Sequence, residues 1–149
     1  MRRSSTAWVI VVVLISSIGA WLSSYPRGLH MHGVVVGMTE HEVKSKLGKP
    51  DQISDETHGW IYYFGAMAAG QEFLEVDFDA NKRVRSIEGE QISRDWQTVA
   101  GVNDTEAQVV QLLGPLRKRT VGENLVECRF DGAVVRFDHG RVFNIVLVK

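Results

Sequence analysis

The chain repeats one pattern about 66 residues apart, and that repetition constrains its fold more than any other feature. The first copy runs GMTEHEVKSKLGKP from Gly37 to Pro50, and the second runs NDTEAQVVQLLGP from Asn103 to Pro115. Each sets a Thr-Glu pair, a Val, a Leu-Gly and a Pro in the same order. Further on, Val76-Asp77-Phe78-Asp79 with Arg83-Val84 and Ile87 returns as Val135-Arg136-Phe137-Asp138 with Arg141-Val142 and Ile145. Likeness that spans helical and alternating stretches points to duplication of a folding unit. The shared positions are caps, turns and apolar sites, so scaffold recurs and catalytic chemistry does not.

Each copy opens with a helix-start signal. Thr39 with Glu42, and Thr105 with Gln108, fit the capping box, in which two side chains satisfy free backbone donors. Val43 and Leu47, like Val109 and Leu113, stand four apart and share a helix face. Gly48 and Gly114 then stop the helix, and a proline just beyond prevents its continuation. Helices this short need a sheet beneath them.

Period-two alternation follows each helix. Trp60, Tyr62 and Phe64 share one strand face, as do Val126, Cys128 and Phe130. Leu74, Val76 and Phe78 continue the first set, and Val135 and Phe137 the second. Asp131-Gly132 and His139-Gly140 mark tight turns, with Ala80-Asn81-Lys82 in the matching place of the first copy. The expected fold class is therefore α+β: two tandem repeats, each a short helix or helices packed on one face of a three-stranded antiparallel sheet. Between them, Ile92, Trp96 and Val99 fit a single helical stripe in a polar connector.

Ahead of the repeats, Ala7 to Leu22 is an apolar run of about 16 residues preceded by Arg2 and Arg3. It reads as a signal peptide to be cleaved or as a signal anchor, a transmembrane helix over about 7–22, with the rest of the chain exported in either case. The expected layout is signal peptide or anchor over 1–24, linker over 25–33, first repeat over 34–90, connector over 91–101 and second repeat over 102–149. The expected location is the cell membrane, single-pass with the C-terminal part extracytoplasmic, or the secreted pool after cleavage.

A formal net charge of -1 with mixed signs along 149 residues gives no basic stripe to track phosphates, which argues against nucleic acid. The lone Cys128 has no internal disulfide partner, and the alternation around it suits a small buried hydrophobe. His30 and His32 are two ligands where a metal site needs more. Glu75, Asp77 and Asp79 form a row of carboxylates that could hold a hard cation or share a proton, yet the second copy has Val134 and Arg136 at the first two places. With no nucleophile elbow, phosphate loop or Cys-x-x-Cys pair, the expectation is no enzyme, no cofactor, no metal and no small-molecule substrate.

A binding face is expected instead. If Trp60, Tyr62 and Phe64 meet the helices, then Ile61, Tyr63, Phe73, Glu75 and Asp77 look outward. Apolar and aromatic groups among carboxylates suit a partner-binding patch. Met67, in the longer loop Gly65–Gln71, is an adaptable contact beside it.

The stretch from Val36 to Gly89, with G-M-T-x-x-x-V-x-x-x-L-G-x-P, then W-x-Y-x-F, then VDFDANKRVRSIEG, resembles the SmpA/OmlA (BamE-like) family of outer-membrane assembly lipoproteins. Two such units in tandem are similar in plan to the β-lactamase inhibitor protein fold. The resemblance implies an α+β unit with a non-enzymatic, protein-binding role in the bacterial cell envelope, its partner another envelope protein. The lipidated Cys that tethers members of the assembly machine has no counterpart after the apolar run. An alternative reading is a soluble periplasmic or secreted inhibitor of an extracytoplasmic enzyme.

Overall fold

The computed structural model describes residues 28–149 apart from 67–69, 96 and 124. In chain order the elements are β1 (Leu29–His30), α1 (Glu40–Leu47), β2 (Gln52–Ile53), β3 (Trp60–Phe64), β4 (Glu72–Phe78), β5 (Val84–Gly89), β6 (Gln91–Arg94) and β7 (Gln97–Gly101). Then come α2 (Glu106–Leu113), β8 (Lys118–Val121), β9 (Leu125–Phe130), β10 (Ala133–Asp138) and β11 (Arg141–Val148).

The helices form where their caps direct. Thr39 and Thr105 each accept a bond from the backbone three residues on, and Glu42 and Gln108 return it. Gly48 and Gly114, at φ +85° and +93°, turn the chain out of the helix in a conformation that costs a residue with a Cβ. Behind each cap an arginine reaches back: Arg83 Nη1 donates to Gly37 O and Arg141 Nη1 to Asn103 O, both at 3.0 Å.

Eight of the strands form one sheet in the order β2-β3-β4-β5-β11-β10-β9-β8. This corrects the expected fold class. The described residues are mostly β, with 51% strand against 14% helix, and the two repeats share one eight-stranded sheet in place of two three-stranded ones. The cause lies in the last strand of each repeat, which would otherwise be an unpaired edge. β5 and β11 pair antiparallel, from Ile145↔Gly89 to Val148↔Ser86, and close the two edges on each other. Each repeat also adds an outer strand, β2 or β8, beyond the expected three.

The connector is not a helical stripe. β6 and β7 form a hairpin which, with β1, makes a second, three-stranded sheet in the order β1-β6-β7. A register shift between Ile92 and Ser93 breaks the alternation, so the apolar spacing imitates a helix. Ile92, Val99 and Ala100 are buried, as are Met31 from the segment read as a linker and Val34 at the start of the first repeat. This small sheet packs on the helix side of the large one, where a Cβ on Gly89 would lie 3.0 Å from Met31 Sδ. The core between the layers joins Val43, Val109 and Leu113 of the helices to Leu74, Val76, Ile87, Val135, Phe137, Ile145 and Leu147.

The expected N-terminal apolar helix over 7–22 lies outside the described residues. Among those residues no helix is long and apolar enough to cross a membrane, and the two helices have eight residues each where a span needs roughly 20. The transmembrane and signal-anchor reading is corrected to that extent: nothing among the described residues anchors the chain by a single pass.

Candidate partner-binding face

The sheet face turned away from the helices is the candidate site. Pairing of β3 with β4 sets Ile61 beside Glu75 and Tyr63 beside Phe73, and pairing of β4 with β5 sets Asp77 beside Ser86. Five of the six expected site residues therefore share one surface. Met67 lies outside the described residues. Tyr63 is 43% exposed, and the other four are half-buried.

The loop between β2 and β3 holds Glu75, and β5 holds Asp77. Thr57 donates its hydroxyl to Glu75 and accepts the Gly59 N–H at 3.0 Å. Asp77 Oδ2 accepts from Ser86 Oγ at 3.0 Å and lies 3.8 Å from Arg85 Nη2. A Cβ on Gly59 would lie 2.5 Å from Asp77 Oδ1 and 3.0 Å from Glu75 Oε1, so a side chain there would make the acids shift. Asp77 Oδ1 itself is buried and without a partner among the described residues.

Asp79 does not join Glu75 and Asp77 in a row. A register shift after Asp77 ends the alternation, and Asp79 Oδ1 caps the next turn by accepting the N–H of Asn81 at 2.8 Å and of Arg83 at 3.0 Å. Among the described residues no group of three or more His, Cys, Asp or Glu could hold a metal ion. The histidines near the N-terminal segment make bonds and packing contacts within the fold. His30 Nε2 donates to Asp95 O at 3.0 Å while its Nδ1 accepts from the Gly33 N–H. His32 stacks on Phe64 at 3.8 Å and meets Glu72 at 3.0 Å.

A polar network crosses the face at its centre. Asn144 Nδ2 donates to Glu88 Oε1 at 2.7 Å, and Arg136 Nη1 donates to Asn144 Oδ1 at 3.0 Å. Arg136 and Arg129 both donate to Glu127, at 3.3 and 3.1 Å. Burial pushes the Glu127 carboxyl up, but these bonds outweigh it and hold the group below the usual carboxylate range. Glu88 and Asn144 were not among the expected site residues. Their signal was an amide inside an otherwise apolar strand, between Phe143 and Ile145.

On the covered side, burial pushes the Tyr62 hydroxyl up to about 12, and Tyr62 donates to Gly48 O at 3.3 Å. Burial, reinforced by the Glu106 carboxylate, pushes the Cys128 thiol up to about 11. A thiol so held is a packed hydrophobe and a poor nucleophile.

No protein-family model matches the chain, and no curated protein matches it. In fold it is similar to the crystal structure of a DUF4309 family protein (YjgB) from Bacillus subtilis subsp. subtilis str. 168. That match has a TM-score of 0.55 at 11% identity and covers 87% of this chain and 90% of the other. At such identity the likeness is one of fold alone.

Proposed function

We infer that the chain is an exported, non-enzymatic protein-binding module of the bacterial cell envelope, and that its helix-free sheet face holds another protein. One observation carries this reading: neither helix covers that face, and Tyr63 stands 43% exposed on it beside Phe73, with Ile61 and two carboxylates held in place around them. Aromatic groups on a rigid sheet lose little entropy when a partner covers them. Export is supported by the apolar run behind Arg2 and Arg3, and the envelope setting by the resemblance of Val36–Gly89 to the SmpA/OmlA family. A second reading, a soluble inhibitor of an extracytoplasmic enzyme, is supported by the continuity of the face across both repeats.

The test is a photo-reactive residue at Tyr63 in intact cells, with a control at Gln111, which is exposed on α2. A discrete adduct with another protein from Tyr63 alone supports the reading, and an adduct enzyme that loses activity on adding the chain selects the inhibitor. Equal labelling from both positions, or no protein adduct from Tyr63, sinks it.

A further inference from the structure

The two halves of the open face carry opposite charge. β4 and β5 present Glu75, Asp77 and Glu88, with Arg85 beside Asp77. β8, β9 and β10 present Lys118, Arg129 and Arg136, with Glu127 and Asp138 among them. Three carboxylates with one guanidinium oppose three cations with two carboxylates, a net of -2 beside a net of +1.

Such a face is complementary to itself. Turning a second copy about an axis parallel to the strands lays its basic half on the acidic half of the first, and the reverse contact forms at the same time. Turning it about the in-plane axis across the strands sets like charge on like, so only one orientation is favoured. In that orientation β3 faces β9, β4 faces β10 and β5 faces β11, because the sheet order is symmetric about the junction of β5 and β11. Ile61 and Phe73 then stand over Arg129 and Arg136 of the second copy, and the second of these contacts favours a cation–π arrangement. Those guanidinium side chains are 55% and 41% exposed. Sheets packed face to face keep their strands within about 30° of each other, which this rotation allows. Eight strands about 4.8 Å apart give a face roughly 34 Å wide and, at six residues, roughly 20 Å long. Its footprint approaches the ~800 Å² per partner of a stable interface.

We propose that the partner of this face is a second copy of the chain, held by the acidic first repeat of each on the basic second repeat of the other. This rests on the reading of the face as a protein-binding surface and names its occupant.

The experiment is sedimentation equilibrium of the full chain, alone and as charge-reversed variants. The wild type is expected to dimerise below ~100 µM at low salt, and to dissociate at least tenfold more readily near 1 M NaCl, where charges are screened within about 3 Å. Glu75→Lys alone and Arg129→Glu alone should each weaken the dimer at least tenfold, since each sets like charges together twice. Mixed in equal amounts they should pair to within about threefold of wild type, because each then meets its opposite. A monomeric wild type, association that strengthens with salt, or variants that mixing does not restore each overturn the proposal. A monomer whose Tyr63 still cross-links to another protein removes self-pairing and leaves the proposed function in place. A salt-sensitive dimer without a foreign adduct keeps self-pairing and removes the envelope partner from the proposed function.

Discussion

The two repeats share a frame and differ in what fills it. In both, a threonine caps the helix, a glycine ends it, and an arginine behind the cap donates to the residue two before the threonine. Both carry the same register shift late in the sheet, after Asp77 in one and after Arg136 in the other. The filling has changed. Where the first repeat has the large Trp60 opposite Val76, the second has the small Cys128 opposite Val135. Leu113 sinks to 8% exposure in the second repeat, while its counterpart Leu47 stays only partly buried. The frame is held by bonds to the backbone, which do not depend on side-chain volume. The core can therefore be repacked at roughly constant volume without moving the caps.

The largest effect should separate equivalent phenylalanines. Phe137 is 1% exposed, whereas its counterpart Phe78 is partly buried and rests edge-on against Trp60 at 4.8 Å. Phe137→Ala is expected to cost about 4 kcal/mol and Phe78→Ala about 2 kcal/mol in urea unfolding. Equal costs would break the view that the second repeat is the more tightly packed half.

The caps should behave alike. Thr39→Ala and Thr105→Ala are each expected to cost about 1 kcal/mol, and together about twice that, since they lie in separate helices. A cost at one site only would show that the frames are not equivalent.

A smaller effect is expected at Tyr62, whose counterpart in the second repeat is Phe130. Tyr62→Phe keeps the ring and loses the bond to Gly48 O, for about 1 kcal/mol or less in the same measurement. A loss as large as that of Phe137→Ala would make the hydroxyl, and not the ring, the reason for a tyrosine there.

The smallest effect depends on pH. A hydrogen bond from Arg119 holds the Glu106 carboxyl below its ordinary 4.5, while Glu40, its counterpart, meets Lys82 at 3.4 Å. A lowered folded-state value stabilises above the unfolded value and ceases to do so as pH falls through the folded one. The melting-temperature gap between wild type and Glu106→Gln should be small and constant above pH ~5, and should close as the pH falls below ~4. A gap that widens on acidification would reverse the assigned direction.

The sequence made local geometry legible and long-range pairing obscure. Thr39, Gly48 and their counterparts act through neighbours three or four residues away, so their pattern reads directly as a helix start and stop. Alternation through Trp60–Phe64 likewise gave the two strand faces, and with them the shared surface of Ile61, Tyr63, Phe73, Glu75 and Asp77. The join between β5 and β11 links residues 56 to 62 positions apart, and nothing local says which edge meets which. Bulges concealed two further features. The one at Ile92 made a hairpin look helical, and the one after Asp77 sent Asp79 to a turn. The Glu88–Asn144–Arg136 network was hidden for the same reason as the seam it crosses, since its members come from both repeats.

That seam also decides what half the molecule can do. In the β5–β11 pairing, Glu88 stands opposite Val146, the residue at the equivalent place in the other repeat. The relation between the halves therefore pivots on these two side chains. A first repeat freed from the second and paired with its own twin through β5 would set Glu88 against Glu88, like charges in directly opposed positions. The valine removes that repulsion, and Asn144 on the same strand supplies the carboxylate with a donor. The duplicated chain is thus a lock and key cut from one blank: each half can complete the other, and the acidic half is barred from completing itself.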